Sequence, residues 1–79
     1  MKIVWEAEDI KVGLLYSKPG IREKWMIGYR YDSKGDRHIV SISMDDGFVT
    51  HSTTEDDLAR LLTAEGYWPM SLIDALPSV

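Results

Sequence analysis

The chain has no cysteine, one phenylalanine, three prolines and two histidines among its 79 residues. Without cysteine there is no disulfide, no thiolate nucleophile and no sulfur-ligated metal site. Two histidines leave little for a structural zinc. No run approaches the ~20 apolar residues of a membrane helix. After Met1-Lys2-Ile3-Val4-Trp5 come Glu6, Glu8 and Asp9, which end the apolar stretch too early for a secretory signal. The expectation is a cytoplasmic protein with no membrane partner. The length allows a single domain over 1–79. Such a chain buries only about 60% of its unfolded surface, so its core is thin. There is no internal repeat and no low-complexity tract, and Pro77-Ser78-Val79 is expected to fray.

What is there begins with β patterning. Lys2 to Glu8 reads as a first strand, with Ile3, Trp5 and Ala7 on one face. Ile10, Val12, Leu14 and Tyr16 alternate with Lys11, Gly13, Leu15 and Ser17 as a second strand. Lys18-Pro19-Gly20 is a turn, because proline presets φ and glycine accepts a positive one. Arg22 to Asp32 is the strongest strand, with Trp25, Ile27, Tyr29 and Tyr31 on one face and Lys24, Met26, Gly28 and Arg30 on the other. Ser33-Lys34-Gly35-Asp36 turns it into a hairpin. Arg37 to Met44 returns, with Val40, Ile42 and Met44 opposite Ile39, Ser41 and Ser43. Asp45-Asp46-Gly47 is a second turn, and Phe48 to His51 a short last strand.

Near residue 53 the period changes. Ser52-Thr53-Thr54-Glu55-Asp56-Asp57 offers N-caps and a capping box, with carboxylates where the helix dipole favours them. Leu58, Leu61 and Leu62 form the apolar stripe. Gly66 ends the helix and Pro69 prevents its resumption. A short second helix over about Ser71 to Leu76 would bury Leu72, Ile73 and Leu76. The predicted fold is α+β: a curved antiparallel sheet of four or five strands, one C-terminal helix and a short second helix. The helix stripe is expected to cover one sheet face, with Trp5, Ile42 and Phe48 as core partners.

No catalytic constellation stands out. His38 and His51 titrate near neutrality, and Ser41, Ser43, Ser52, Asp36 and Asp45 supply hydroxyls and carboxylates, but no nucleophile elbow occurs. An enzyme would need one of the two histidines in a cleft beside a carboxylate and a hydroxyl. Asp45-Asp46-Gly47 lacks the remaining ligands of a calcium loop. No glycine-rich loop precedes a helix, so no nucleotide cradle is expected. The reading is a protein with no cofactor, no metal and no catalytic residues.

Charge is unevenly divided. Residues 1–40 carry eight basic and six acidic residues, net +2; residues 41–79 carry one basic and seven acidic, net −6; the sum is the formal −4. Part of the acidic excess complements a helix N-terminus. The rest suits a basic partner, because carboxylates replace phosphates in arginine and lysine clefts. The candidate partner-binding residues are Asp45, Asp46, Glu55, Asp56, Asp57, Glu65 and Trp68, the last beside Tyr67 and Pro69 as an aromatic anchor. The Tyr-Trp-Pro-Met stretch suits pairing of two copies equally, so monomer and homodimer both stay open. The alternative site is basic and aromatic: Arg22, Lys24, Trp25, Tyr29, Arg30 and Tyr31 interleave rings and cations as single-stranded nucleic-acid platforms do. Those aromatics also suit the core face of a central strand.

In size, acidity, lack of cysteine and β-then-α organisation, the chain resembles the small anti-CRISPR proteins of phages and mobile elements. The likeness covers the whole chain. It implies a non-enzymatic inhibitor that binds a CRISPR effector complex where target DNA binds; it rests on no specific residue pattern and carries over no functional residue, and Asp45, Asp46, Glu55, Asp56 and Asp57 match only the general idea of a phosphate-like, DNA-mimicking acidic surface. The leading expectation is thus an interaction protein that meets a basic surface of a larger protein or ribonucleoprotein complex and makes no direct contact with nucleic acid. The alternative is a small SH3-like or OB-like nucleic-acid-binding module built on the 22–37 hairpin.

Overall fold

The structure, a computed structural model, describes residues 2–50 and 52–76. His51 and Pro77-Ser78-Val79 lie outside the described residues, and so do the expectations placed on them.

The strongest period-two segment forms the centre of the sheet. β2 (Trp25–Tyr31) pairs antiparallel with β3 (Arg37–Ser43) in an unbroken register from Trp25↔Ser43 to Tyr31↔Arg37. Gly35, at φ 86°, supplies the left-handed residue of the connecting turn. β1 (Leu15–Ser17) flanks β2, and the two-residue β4 (Trp68–Pro69) flanks β1, giving the order β3-β2-β1-β4. The order is linear, so the described strands form an open sheet and close no barrel. Phe48–Thr50 and Ser52–Thr53 line the outer edge of β3 through two isolated bridges, Ile42↔Val49 and Ile39↔Thr53. They replace the last strand expected there.

Lys2 to Glu8 forms no strand. Ala7–Asp9 is a 3-10 turn, because Asp9 reaches back to the Glu6 N–H at 2.8 Å. The residues before it bond to a helix instead of to the sheet. Trp5 N–H donates to Thr63 Oγ1 at 2.8 Å, and its indole N–H donates to the Tyr67 carbonyl at 2.9 Å. The second strand is likewise shorter than its alternation suggests. Gly13, at φ 92°, and Leu14 together face Ile27, a bulge that carries the chain away from β2.

α1 (Glu55–Ala64) starts where the capping signals place it. Thr54 accepts from the Asp57 N–H at 3.1 Å. It ends in a Schellman motif: Tyr67 N–H donates to the Leu62 carbonyl at 2.9 Å across Gly66, at φ 76°. Leu58, Ala59 and Leu62 pack on Ile27, Ile39 and Tyr16, with Trp5 and Ile10 closing the core. Ile27 and Leu62 are fully buried. Leu61 falls to the rim of the stripe and is 51% exposed.

Two expected core partners lie elsewhere. The register sets Ile39, Ser41 and Ser43 on the face that α1 covers, so Ile42 is on the opposite face. There its Cδ1 occupies the space above Gly28, 2.8 Å from where a Cβ would be. Phe48 is 60% exposed after the turn at Gly47. The short helix α2 (Met70–Asp74) begins one residue before the expected start and buries no residue fully. Ile73 is half-buried, while Leu72 and Leu76 are exposed.

Candidate functional site

Trp25 opens β2 between Tyr16 of β1 and Ser43 of β3. Its face of the strand is shared with Ile27, which α1 covers, but Trp25 itself stays half-buried. Three depressions of about 310 Å³ each include its side chain. The first lies between α1 and the sheet, with Tyr16 and Ser41 on its floor and Leu58, Leu61 and Tyr67 on its walls. The second runs past Lys18, Ile21 and Glu23. The third is bordered by Glu23, Ser43, Asp45, Asp46 and Phe48. Together they make a shallow surface with an aromatic centre, apolar walls and carboxylates along one rim.

The floor is polar but tied down. The Tyr16 hydroxyl donates to Ser41 Oγ at 2.6 Å, and both residues are buried. Burial pushes the Tyr16 phenol above its ordinary 10.0, partly offset by the bond to Ser41. Thr50 Oγ1 accepts the Ser41 N–H at 3.0 Å.

The acidic residues singled out from the sequence separate into groups. Asp45 and Asp46 form the turn after β3, and Asp46 accepts the Phe48 N–H at 2.9 Å. Glu55, Asp56 and Asp57 open α1, which follows the Thr53 bridge to Ile39. Ile39 is four residues from Ser43 along β3, a separation of about 13 Å at ~3.3 Å per residue. Glu65 caps the other end of α1. Three of these acids have cationic neighbours: Glu55 with Arg37 at 3.9 Å, Asp57 with Arg60 at 3.4 Å and Glu65 with Lys18 at 4.0 Å. Exposed pairs of this kind are weak, but they neutralise charge. Only Asp45 and Asp46 border the Trp25 surface, where Glu23 joins them. Trp68 is half-buried in β4, paired with Ser17.

The basic and aromatic residues also separate. Arg22 and Lys24 precede β2 and border a cavity with Met44, Met70 and Ile73. Tyr29 and Tyr31, beyond Ile27, are 49% and 63% exposed, with rings 5.7 Å apart edge to face. The Arg37 guanidinium lies 5.9 Å from the Tyr29 ring. Arg30 points to the opposite face and donates to Ser52 Oγ at 2.9 Å.

His38 lines none of the three depressions. Its Nε2 lies 2.8 Å from Asp32 Oδ2. That hydrogen bond, followed by the bond from the Asp36 N–H, holds the Asp32 carboxyl below its ordinary value. Among the described residues, no three His, Asp or Glu side chains gather as a metal site. No described helix is long and apolar enough to cross a membrane.

Sequence reasoning missed Glu23, Phe48, Leu61 and Tyr67 as rim and wall. The signal for Leu61 was present: Leu58 and Leu62 are four apart on one stripe, and Leu61 sits at its edge. Comparison with protein-family models, curated proteins and solved structures finds no match to this chain.

Proposed function

We propose that the chain is a non-enzymatic interaction protein that docks the Trp25 surface onto a basic region of a larger protein or ribonucleoprotein complex. The half-buried Trp25 at the junction of three depressions, with Glu23, Asp45 and Asp46 on one rim, carries the reading. An aromatic anchor in a concave apolar setting, with three carboxylates gathered on one side, suits a partner loop whose apolar tip is flanked there by arginine or lysine. A CRISPR effector complex is the partner class that the resemblance implies, and loss of target-DNA binding is the effect. The experiment is DNA binding by a guide-loaded effector complex with and without the protein. It is repeated with Trp25→Ala and with the pair Glu23→Lys and Asp45→Lys. The reading expects inhibition that weakens with salt and is lost in both variants. Inhibition that survives the charge reversals overturns the docking surface, and no inhibition overturns the partner class.

A second reading is supported by the exposed Tyr29–Tyr31 pair with Arg37 beside it: stacking of single-stranded bases at the hairpin end. It expects oligonucleotide affinity that falls steeply with salt.

A further inference from the structure

The β2–β3 hairpin outruns the strand beside it. Met44 N–H donates to the Lys24 carbonyl and Asp32 N–H to the Asp36 carbonyl, both at 2.9 Å, so the even-numbered residues of β2 point their backbone groups at β3. Ile27 N–H donates to the Leu14 carbonyl at 2.9 Å and Gly13 N–H to the Ile27 carbonyl at 2.8 Å, so the odd-numbered residues point at β1. At Gly13 the chain leaves. Tyr29 and Tyr31 are the next residues of the same parity. Their N–H and C=O groups face an edge where no described residue pairs with them. The other edge of the hairpin is paired from Ile39 to Ser43: Ile39 pairs with Thr53, Ser41 with Thr50, and Ser43 donates to the Phe48 carbonyl.

We propose that Tyr29-Arg30-Tyr31 is a strand-addition site for an extended acidic segment of a partner protein. In it, an acidic residue lies opposite Arg30 and apolar residues lie opposite the two tyrosines. The backbone presents two donors and two acceptors in one line, which an added strand completes with four hydrogen bonds. Both tyrosines are exposed on one face and Arg30 on the other, so the site reads alternate side chains of its occupant. Charge selects the sign. Arg30 stands between the two tyrosines, while two nearby acids are engaged, Asp32 with His38 and Glu55 with Arg37; residues 29–38 are net +1 and the remaining residues net −5, which sum to −4. The same geometry disfavours a second copy. A two-fold pairing that uses all four groups sets Tyr29 opposite the second copy's Tyr31, and therefore Arg30 opposite the second copy's Arg30, like charges face to face. A nucleic acid would use the rings and leave the alternating backbone groups unmatched.

The test titrates the labelled full chain with three probes: a blocked peptide alternating valine and glutamate, its valine–lysine counterpart, and oligothymidylate. Amide exchange at Tyr29 and Tyr31 is read by NMR. With the valine–glutamate peptide saturating, exchange of both amides is expected to slow at least ~10-fold. The valine–lysine peptide is expected to bind at least ~10-fold more weakly. Methylating the peptide nitrogens that face the hairpin abolishes binding, and Arg30→Glu reverses the preference between the two peptides. Tyr31→Pro removes one outward N–H while leaving the β3 ladder intact, and it abolishes binding even where Arg30→Glu fails to fold. Unchanged exchange at Tyr29 and Tyr31, equal affinity for the two peptides, or protection by oligothymidylate alone overturns the proposal.

Discussion

Tyr16 and Ser41 provide a sharp test of how this sheet is read. Their hydroxyls meet at 2.6 Å, with Tyr16 4% and Ser41 3% exposed. Tyr16→Phe strands the Ser41 hydroxyl in the core, and Ser41→Ala strands the phenol. Each should cost about 1–3 kcal/mol, the penalty of a buried polar group left unpaired. The double variant removes both groups, so it should cost less than the sum, with a coupling of at least ~1 kcal/mol. A 79-residue chain at ~0.05–0.15 kcal/mol per residue has a total stability of about 4–12 kcal/mol, so each single change is a large fraction. In a domain of this size ~1 kcal/mol moves the melting temperature by about 4–8 °C. Urea unfolding followed by tryptophan fluorescence suits the assay, because Trp5 lies edge-on to Tyr16 at 6.3 Å. The same phenol predicts lability to base. Its pKa is raised by folding, so its contribution is complete below the unfolded value and is lost as pH rises through the folded one. Tyr16→Phe should flatten the loss of stability above about pH 10. Strict additivity of the two substitutions would refute the hydrogen bond between Tyr16 and Ser41.

Two further predictions concern the hairpin. Gly28→Ala should destabilise by about 1–3 kcal/mol, because its Cβ would lie 2.8 Å from Ile42 Cδ1; adding Ile42→Val should recover part of the loss in the same urea assay. The Asp32 carboxyl, lowered chiefly by His38, stabilises the hairpin above its unfolded pKa and loses that effect as pH falls through its folded value. Asp32→Asn should therefore remove the pH response of the Lys34 amide shift that its bond to the Asp32 carboxylate produces, as NMR titration would show.

The central hairpin, its Gly35 turn, α1 and its caps were legible because each rests on local chemistry: period-two alternation, a left-handed glycine, a threonine accepting at the first turn. The covered face of β3 was misread because it looks polar. Ile39, Ser41 and Ser43 face the helix, while the more apolar Val40 and Ile42 face away. Small hydroxyl residues fit there because Tyr16 reaches across β2 from β1 and bonds to Ser41, a long-range match absent from any single segment. The N-terminal segment failed for the same kind of reason. Its alternation suits a strand, but Thr63 and the Tyr67 carbonyl, 58 and 62 residues away, take its hydrogen bonds. The acidic half of the sequence likewise seemed one surface until folding set its turn and its helix start at different places along β3.

The exposure of aromatics at both ends of β2 follows from length alone. α1 has ten residues and spans about 15 Å at ~1.5 Å per residue. β2 has seven and spans about 23 Å at ~3.3 Å per residue. Even aligned with the strand, the helix cannot cover it. Ile27, at the middle, is fully buried; Trp25 on one side is half-buried, and Tyr29 and Tyr31 on the other are exposed. The question of whether the aromatic face is core or binding surface therefore has a different answer at each position along it. Its centre is core, and its ends are half-buried at Trp25 and exposed at Tyr29 and Tyr31. At the Trp25 end Glu23, Asp45 and Asp46 border one depression, and Lys18 lies with Glu23 in another. At the Tyr29–Tyr31 end the neighbours are Arg30 and Arg37, so the two ends of one strand differ in the charges set beside their rings.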